Sequence, residues 1–247
     1  MTFRDHFSGH AAAYARWRPG YPSELFEWLA SLGGRRRTAW DCATGNGQAA
    51  GALASFLGRV VATDASLAQV ARAVGYPGVS YHVAEATSSG LAPGSIDLVT
   101  VAQALHWFDL EPFLAEVRRV LAPGGALVAW TYSFFRVEPA IDELMAEFAE
   151  TTVGAFWPAE RRHVDAGYRT LTLDLEPIEA PGFVMRERWD LDQLLAYIGT
   201  WSAVRRFRHS RGFDPVSDLA ATLEPVWPRP AAAREIRWHL TVLAGRP

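Results

Sequence analysis

Between residues 38 and 135 short apolar runs alternate with stretches of helical periodicity. Thr38–Cys42, Arg59–Thr63, Val79–Val83, Ile96–Val101 and Ala126–Tyr132 are predicted strands, rich in β-branched and apolar residues. Gly47–Leu57, Ser66–Val74 and Phe113–Val120 are predicted helices that fall between them. Strands that alternate with helices imply βαβ units with right-handed crossovers, and hence a parallel sheet covered on both faces. Upstream, Leu25, Phe26, Leu29 and Leu32 recur at helical spacing, with a start at Pro22 or Ser23 and a stop at Gly33-Gly34. Downstream the pattern loosens. Pro139–Thr151 and Asp190–Trp201 read as amphipathic helices, and Phe183–Trp189 and Arg237–Ala244 as strands. The expected organisation is a single domain. Residues 1–34 form a helical cover, 35–135 the core of the sheet and 136–215 a cap, and 216–247 complete the sheet.

Composition narrows the chemistry. With 247 residues, 49% of them hydrophobic and 21% charged, the chain has material for a full core. A net charge of −3 points to neither nucleic acid nor an anionic membrane as partner. The single cysteine, Cys42, leaves no intrachain disulfide and suits a cytoplasmic protein. The start, MTFRDHFSGH, has no apolar signal region, and no apolar run nears the ~20 residues that span a bilayer. Secretion and membrane anchoring are therefore not expected. All 24 basic residues are arginine. Without lysine there is no Schiff-base amine, no Walker lysine and no tyrosine–lysine pair. The run Arg35-Arg36-Arg37, just before a strand, reads as a solvated turn. No His or carboxylate pair has metal-ligand spacing, so no metal is expected.

The most informative loop is Asp41-Cys42-Ala43-Thr44-Gly45-Asn46-Gly47-Gln48, where the first strand turns into a helix. Glycines there allow close approach of a ligand to the main chain. Asp64 ends the second predicted strand, where a carboxylate can accept both hydroxyls of a ribose. Together they describe a nucleoside crevice. Gly45-x-Gly47-x-x-Ala50 satisfies a dinucleotide fingerprint, so an NAD(P)-dependent oxidoreductase is one reading. The other is the acid-x-Gly-x-Gly-x-Gly loop of enzymes that use S-adenosylmethionine (SAM), with Asp41 at the acidic position and Ala43 in place of the first glycine. Alanine fits there if residue 43 keeps a negative φ.

Two further segments favour the second reading. Ser95-Ile96-Asp97-Leu98-Val99-Thr100-Val101-Ala102-Gln103-Ala104-Leu105-His106-Trp107-Phe108-Asp109 resembles the fourth-strand motif of class I SAM-dependent methyltransferases. Glu116-Val117-Arg118-Arg119-Val120-Leu121-Ala122-Pro123-Gly124-Gly125-Ala126-Leu127 resembles the helix, turn and fifth strand of that family. The likeness covers residues 3–135 and is similar to the branch that includes trans-aconitate methyltransferase. Tyr197–Ala203 and Trp238–Pro247 add support. The resemblance implies a Rossmann-like, doubly wound α/β fold. Its seven-stranded sheet would be mostly parallel, with an antiparallel C-terminal strand and a helical cap. It implies SAM as cofactor and a small-molecule methyl acceptor, in a protein that is a monomer or homodimer.

The resemblance also implies roles by position. Asp41, Ala43, Gly45 and Gly47 would line the methionine side of SAM, Asp64 would hold the ribose, and Ala65 and Leu67 would border the adenine. Glu85 and Ala86 would meet the adenine edge, although Val83-Ala84-Glu85-Ala86 departs from the usual acid-Ala-Glu pattern. Gln103 and Ala104 would face the methionine portion, and Tyr14 and Arg18 resemble a segment that covers the cofactor. His106 is the candidate general base, with an alternative role of closing the turn. Trp107, Tyr132 and Trp201 are candidates for the acceptor pocket, with packing as the alternative for the two tryptophans. Arg205, Arg206, Arg208 and Arg211 could attract a carboxylate or form a solvated face. A non-catalytic SAM-binding protein is the remaining alternative.

Overall fold

The computed structural model describes residues 18–33, 37–227 and 229–247. Five parallel strands run β1 (Thr38–Cys42), β2 (Arg59–Asp64), β3 (Val79–Val83), β4 (Ile96–Ala102) and β5 (Leu121–Thr131). The two-residue β6 (Glu176–Pro177), then β7 (Phe183–Trp189) and the long β8 (Arg234–Arg246) follow. The order across the sheet is β3-β2-β1-β4-β5-β8-β6, and β7 also pairs with β8. The expected mostly parallel sheet with an antiparallel C-terminal strand is therefore present, with eight strands rather than seven. Strand order reverses between β1 and β4, which places a ligand crevice at the carboxyl ends of these strands.

Period-2 alternation sends side chains into two cores. Ala126, Val128 and Trp130 of β5 join the cluster beneath α1 (Ser23–Leu32), α2 (Gln48–Ala54) and the cap. Leu127 and Ala129 join the cluster beneath α4 (Leu110–Val120), which contributes Phe113, Leu114, Val117 and Val120. The cap carries α5 (Pro139–Glu147), α6 (Arg161–Asp165), α7 (Leu191–Ile198), α8 (Ser202–Arg211) and α9 (Pro215–Leu223). A capping box between Asp190 and Gln193 starts α7.

Three expected elements differ. The helix expected over Ser66–Val74 is a single turn, α3 (Leu67–Val70), because the chain beyond it is recruited elsewhere. The Val74 amide donates to the Asn46 carbonyl (3.2 Å) and the Tyr81 hydroxyl to the Val74 carbonyl (2.8 Å), which folds this segment back over the glycine loop. The helix expected over Pro139–Thr151 leaves α geometry at Phe148 for a π-turn, Phe148–Thr152. The helical layer continues past residue 215 through α9, and the final strand, Arg234–Arg246, is longer at both ends than the expected Arg237–Ala244. Arg37 donates to the Phe56 carbonyl rather than to solvent alone.

Most of β8 is divided between two partners: Arg234–Leu240 pairs with β7 and Thr241–Gly245 with β5, while Gly245 and Arg246 also pair with β6. At its centre Trp238 is fully buried among Phe135, Trp189 and Tyr197, and its indole donates to the Tyr197 hydroxyl (3.2 Å). Trp238→Ala is expected to cost about 3–5 kcal/mol and to lower the melting temperature by on the order of 10 °C. Thermal denaturation of the variant checks this, and a loss of only a degree or two would show that this aromatic cluster is not the anchor of the cap.

Candidate active site

The crevice starts with a buried acid. Asp41 is inaccessible to solvent; Thr44 Oγ1 donates to its Oδ2 (2.5 Å) and Thr100 Oγ1 to its Oδ1 (2.7 Å). The Thr44 amide donates to the Thr63 carbonyl (2.9 Å), so the turn is fastened to β2 as well. Ala43 is held at φ 56°, in the left-handed region. The condition under which alanine would fit without strain, a negative φ, is thus not met: fastening on both sides forces the reversal there, at a cost of about 1–2 kcal/mol for a residue with a Cβ. The two glycines do different work. A Cβ on Gly47 (φ 86°) would lie 2.2 Å from the Tyr81 hydroxyl, whereas one on Gly45 (φ 58°) would meet nothing within 4 Å. Only Gly45 fronts open space.

Asp64 bridges the two loops of the crevice, accepting from the Gly45 amide (2.9 Å) and the Ser66 amide (2.8 Å) on different oxygens. Ala65 is half-buried beside it, and Leu67 stands 69% exposed. Glu85 is exposed at the end of β3, and Ala86 packs against the second core cluster. Ala104 is buried. Gln103 also adopts a positive φ, of 58°. Its Oε1 accepts from Thr131 (2.9 Å), and its Nε2 is a buried donor with no partner among the described residues.

Next to this crevice lies a cavity of about 100 Å³ under the cap. Arg18, Gln103, His106, Trp107, Tyr132 and Trp201 all line it, so the sequence candidates for catalysis and acceptor binding converge on one space. Tyr14 lies outside the described residues. The sequence reading missed Phe134, Trp157, Arg161 and Tyr197 as cavity wall. Arg161 is sandwiched between the Phe134 ring (4.8 Å) and the Trp157 ring (4.5 Å), and bonds Asp165 (2.7 Å) and Ser133 (3.0 Å). The π-turn aims Trp157, whose indole donates to the Ala149 carbonyl (3.0 Å). Of the four-arginine cluster, Arg205 alone lines the cavity. Arg208 is tied to Asp214 and the Gly199 carbonyl, and Arg206 and Arg211 are exposed.

A methyltransferase domain model matches residues 40–129. A solved Anaeromyxobacter dehalogenans protein assigned as a type II methyltransferase is 43% identical over 93% of this chain and 97% of its own, with a TM-score of 0.88. The chain is a class I SAM-dependent methyltransferase. A Dictyostelium discoideum protein assigned as a methyltransferase is 28% identical over 90% of this chain and 86% of its own. An uncharacterized Mycobacterium tuberculosis methyltransferase is 37% identical, but over 49% of each chain. The nicotinamide reading of the glycine loop is set aside with this assignment.

The methyltransferase crevice fits SAM. Gly45 leaves room against the main chain, each Asp64 oxygen keeps capacity for a ribose hydroxyl, and Leu67 offers an uncovered apolar face. Asp41 differs from its expected role. Sealed beneath two threonines, its carboxylate presents no surface to a ligand, so it would act on the cofactor only through the loop it holds.

Burial raises the Asp41 pKa to about 6, partly offset by the Thr44 and Thr100 hydroxyls and reinforced by the charge of Asp64. The folded protein therefore holds this proton more tightly than the unfolded chain, whose value is near 3.8. The stability linked to it is greatest at low pH, falls between about pH 4 and 6, and is lost above that. Asp41→Asn should lack this decline. Its melting temperature is expected to gain on that of the wild type as pH rises through this window, by about 3 kcal/mol equivalent or on the order of 5–10 °C. Melting curves that stay parallel across the window would refute the buried-acid account. Asp64→Ala should weaken S-adenosylhomocysteine binding by at least about tenfold in calorimetry while the thermal transition survives. Unchanged affinity would remove Asp64 from the ribose site.

Proposed function

We propose that this methyltransferase transfers a methyl group to the oxygen of a small carboxylic acid with an apolar or aromatic body. The supporting observation is the charge of the cavity: Arg18, Arg161 and Arg205 line it, and no aspartate or glutamate does so among the described residues. Arg161 is offset by Asp165, and Arg18 donates to the Tyr132 hydroxyl (3.0 Å). The Arg205 guanidinium has no hydrogen-bond or ion-pair partner among the described residues, and its planar fork matches a carboxylate. Such an anchor suits one carboxylate better than three, although a trans-aconitate-like polyacid shares the same chemistry.

When bound, SAM supplies an electrophilic methyl group on a positively charged sulfur. The chain's own work is then alignment and exclusion of water. Trp107, Phe134, Trp157 and Trp201 wall the cavity, and the arginines orient an acid along it. A carboxylate is already ionised at neutral pH, so the acceptor needs no proton removed.

The test incubates the protein with methyl-labelled SAM and benzoate, trans-aconitate, benzyl alcohol or benzamide. Label is expected in the ester of an acid and not in the alcohol or amide. Arg205→Met should raise KM for the acid by about tenfold or more, the usual effect of losing a charge-assisted bond. Labelling of the neutral alcohol or amide instead would overturn the acid reading.

A further inference from the structure

His106 sits in the 3₁₀ turn Leu105–Trp107 after β4, its ring tilted against Trp107 with centroids 4.8 Å apart. Its Nδ1 lies 3.1 Å from the Tyr168 hydroxyl. Tyr168 is fully buried just past the end of α6, at φ 57°, a left-handed conformation rarely taken by a tyrosine. Its amide donates to the His163 carbonyl (2.7 Å), so the closing turn of α6 delivers the phenol to the back of the imidazole. Nε2 is the nitrogen left over, and no described residue bonds it, while the ring lines the cavity.

We infer that His106 meets the acceptor as a neutral hydrogen-bond donor through Nε2–H, with Tyr168 fixing that tautomer from behind. This rests on the cavity being the acceptor site. The backbone amides of Leu105 and His106 approach the phenol oxygen, as does the Thr131 hydroxyl. Thr131 spends its own proton on Gln103. Amides can only donate, so the acceptors for the phenol's single proton are the imidazole nitrogen at 3.1 Å and the Thr131 hydroxyl, and the sp² nitrogen is the better of the two. Nδ1 then carries no proton, and Nε2 must carry one in the neutral ring.

The surroundings keep the ring neutral. Burial lowers the His106 pKa to about 3, with Arg161 and His163 adding repulsion. The charged or titratable groups around it are Arg161 and His163 of α6, Tyr168 beyond it, and Arg18, Tyr132, Tyr197 and Arg205 across the cavity. Burial that disfavours the imidazolium, with Arg161 repulsion added to it, leaves N–H donors as what the cavity offers an anion. An ionised carboxylate oxygen accepts from Nε2–H. A neutral alcohol or amine that needs a base finds none there. His106 thus selects acceptors by protonation state.

Nitrogen-15 NMR of histidine-labelled protein reads the tautomer directly, with or without an acceptor, and His106→Gln identifies the signals. The expected result is unprotonated Nδ1 and protonated Nε2, unchanged from about pH 5 to 8, and disturbed by Tyr168→Phe. A proton on Nδ1, or titration within that range, would overturn the inference. Calorimetry with benzoate, in the presence of S-adenosylhomocysteine, adds a second reading. His106→Gln keeps a donor but cannot act as a base, and should bind within about threefold of wild type, while His106→Ala should lose about tenfold. Equal losses in both would refute the donor role. If wild type itself does not bind benzoate, the acid-acceptor reading fails and the NMR still decides the tautomer.

Discussion

The site depends on one carboxylate that never reaches solvent. Asp41 at the end of β1 is bonded by Thr44 from its own loop and Thr100 from β4, so a single side chain ties the glycine turn to the strand on one side while Thr63 ties it to β2 on the other. Everything at the carboxyl edge inherits that geometry: the left-handed Ala43, the open face of Gly45, and the position of the Gly45 amide that meets Asp64. The acid is costly to bury charged, and its raised pKa records that cost. A strained, partly destabilising knot at the ligand edge is the pattern expected where a fold gives up stability for a pre-formed site.

Opposite the cofactor crevice, the cap supplies a different physics. Its wall is aromatic, and its charges are arginines held in place by rings and hydroxyls: Arg161 between Phe134 and Trp157, Arg18 against Tyr132 and 5.6 Å from the Tyr197 ring centre. Arginine tolerates this setting because its planar, weakly hydrated head stacks as well as it bonds. The absence of lysine from the chain thus coincides with a pocket in which two of the cations, Arg18 and Arg161, double as packing groups.

The core of the fold was legible because its signals are local and periodic. β1, β3 and β7 have the bounds read from alternation and β-branched runs alone, whereas most site residues at strand ends were reached through the family resemblance. What failed was decided at a distance. Helix α3 is short because Asn46 and Tyr81 claim the backbone of the segment after it, and no window around Ser66 contains that information. The backbone of Ala43 was not legible for the same reason: its φ is set by fastenings to β2 and β4. Trp157 and Arg161 were missed because they lie beyond a π-turn in a stretch without period, and only the folded chain brings them against Phe134. Tyr168, an unremarkable aromatic in a polar segment, gave no signal before its hydroxyl was seen against His106.

The long final strand carries a consequence for how this enzyme can move. β8 gives its first half to β7 and its second to β5, and β7 lies within the segment that forms the cap. Swinging the cap away as a rigid lid would strip the rungs from Phe183↔Leu240 to Trp189↔Arg234, and drag Trp238 out of the core. The hinge is in effect welded shut. The cavity-wall segments that carry no sheet rung are the turn after the π-turn, which bears Trp157, and the short α6, which bears Arg161. A whole-cap swing would therefore break a sheet, whereas a rearrangement of the cavity wall would disturb only side chains and single turns.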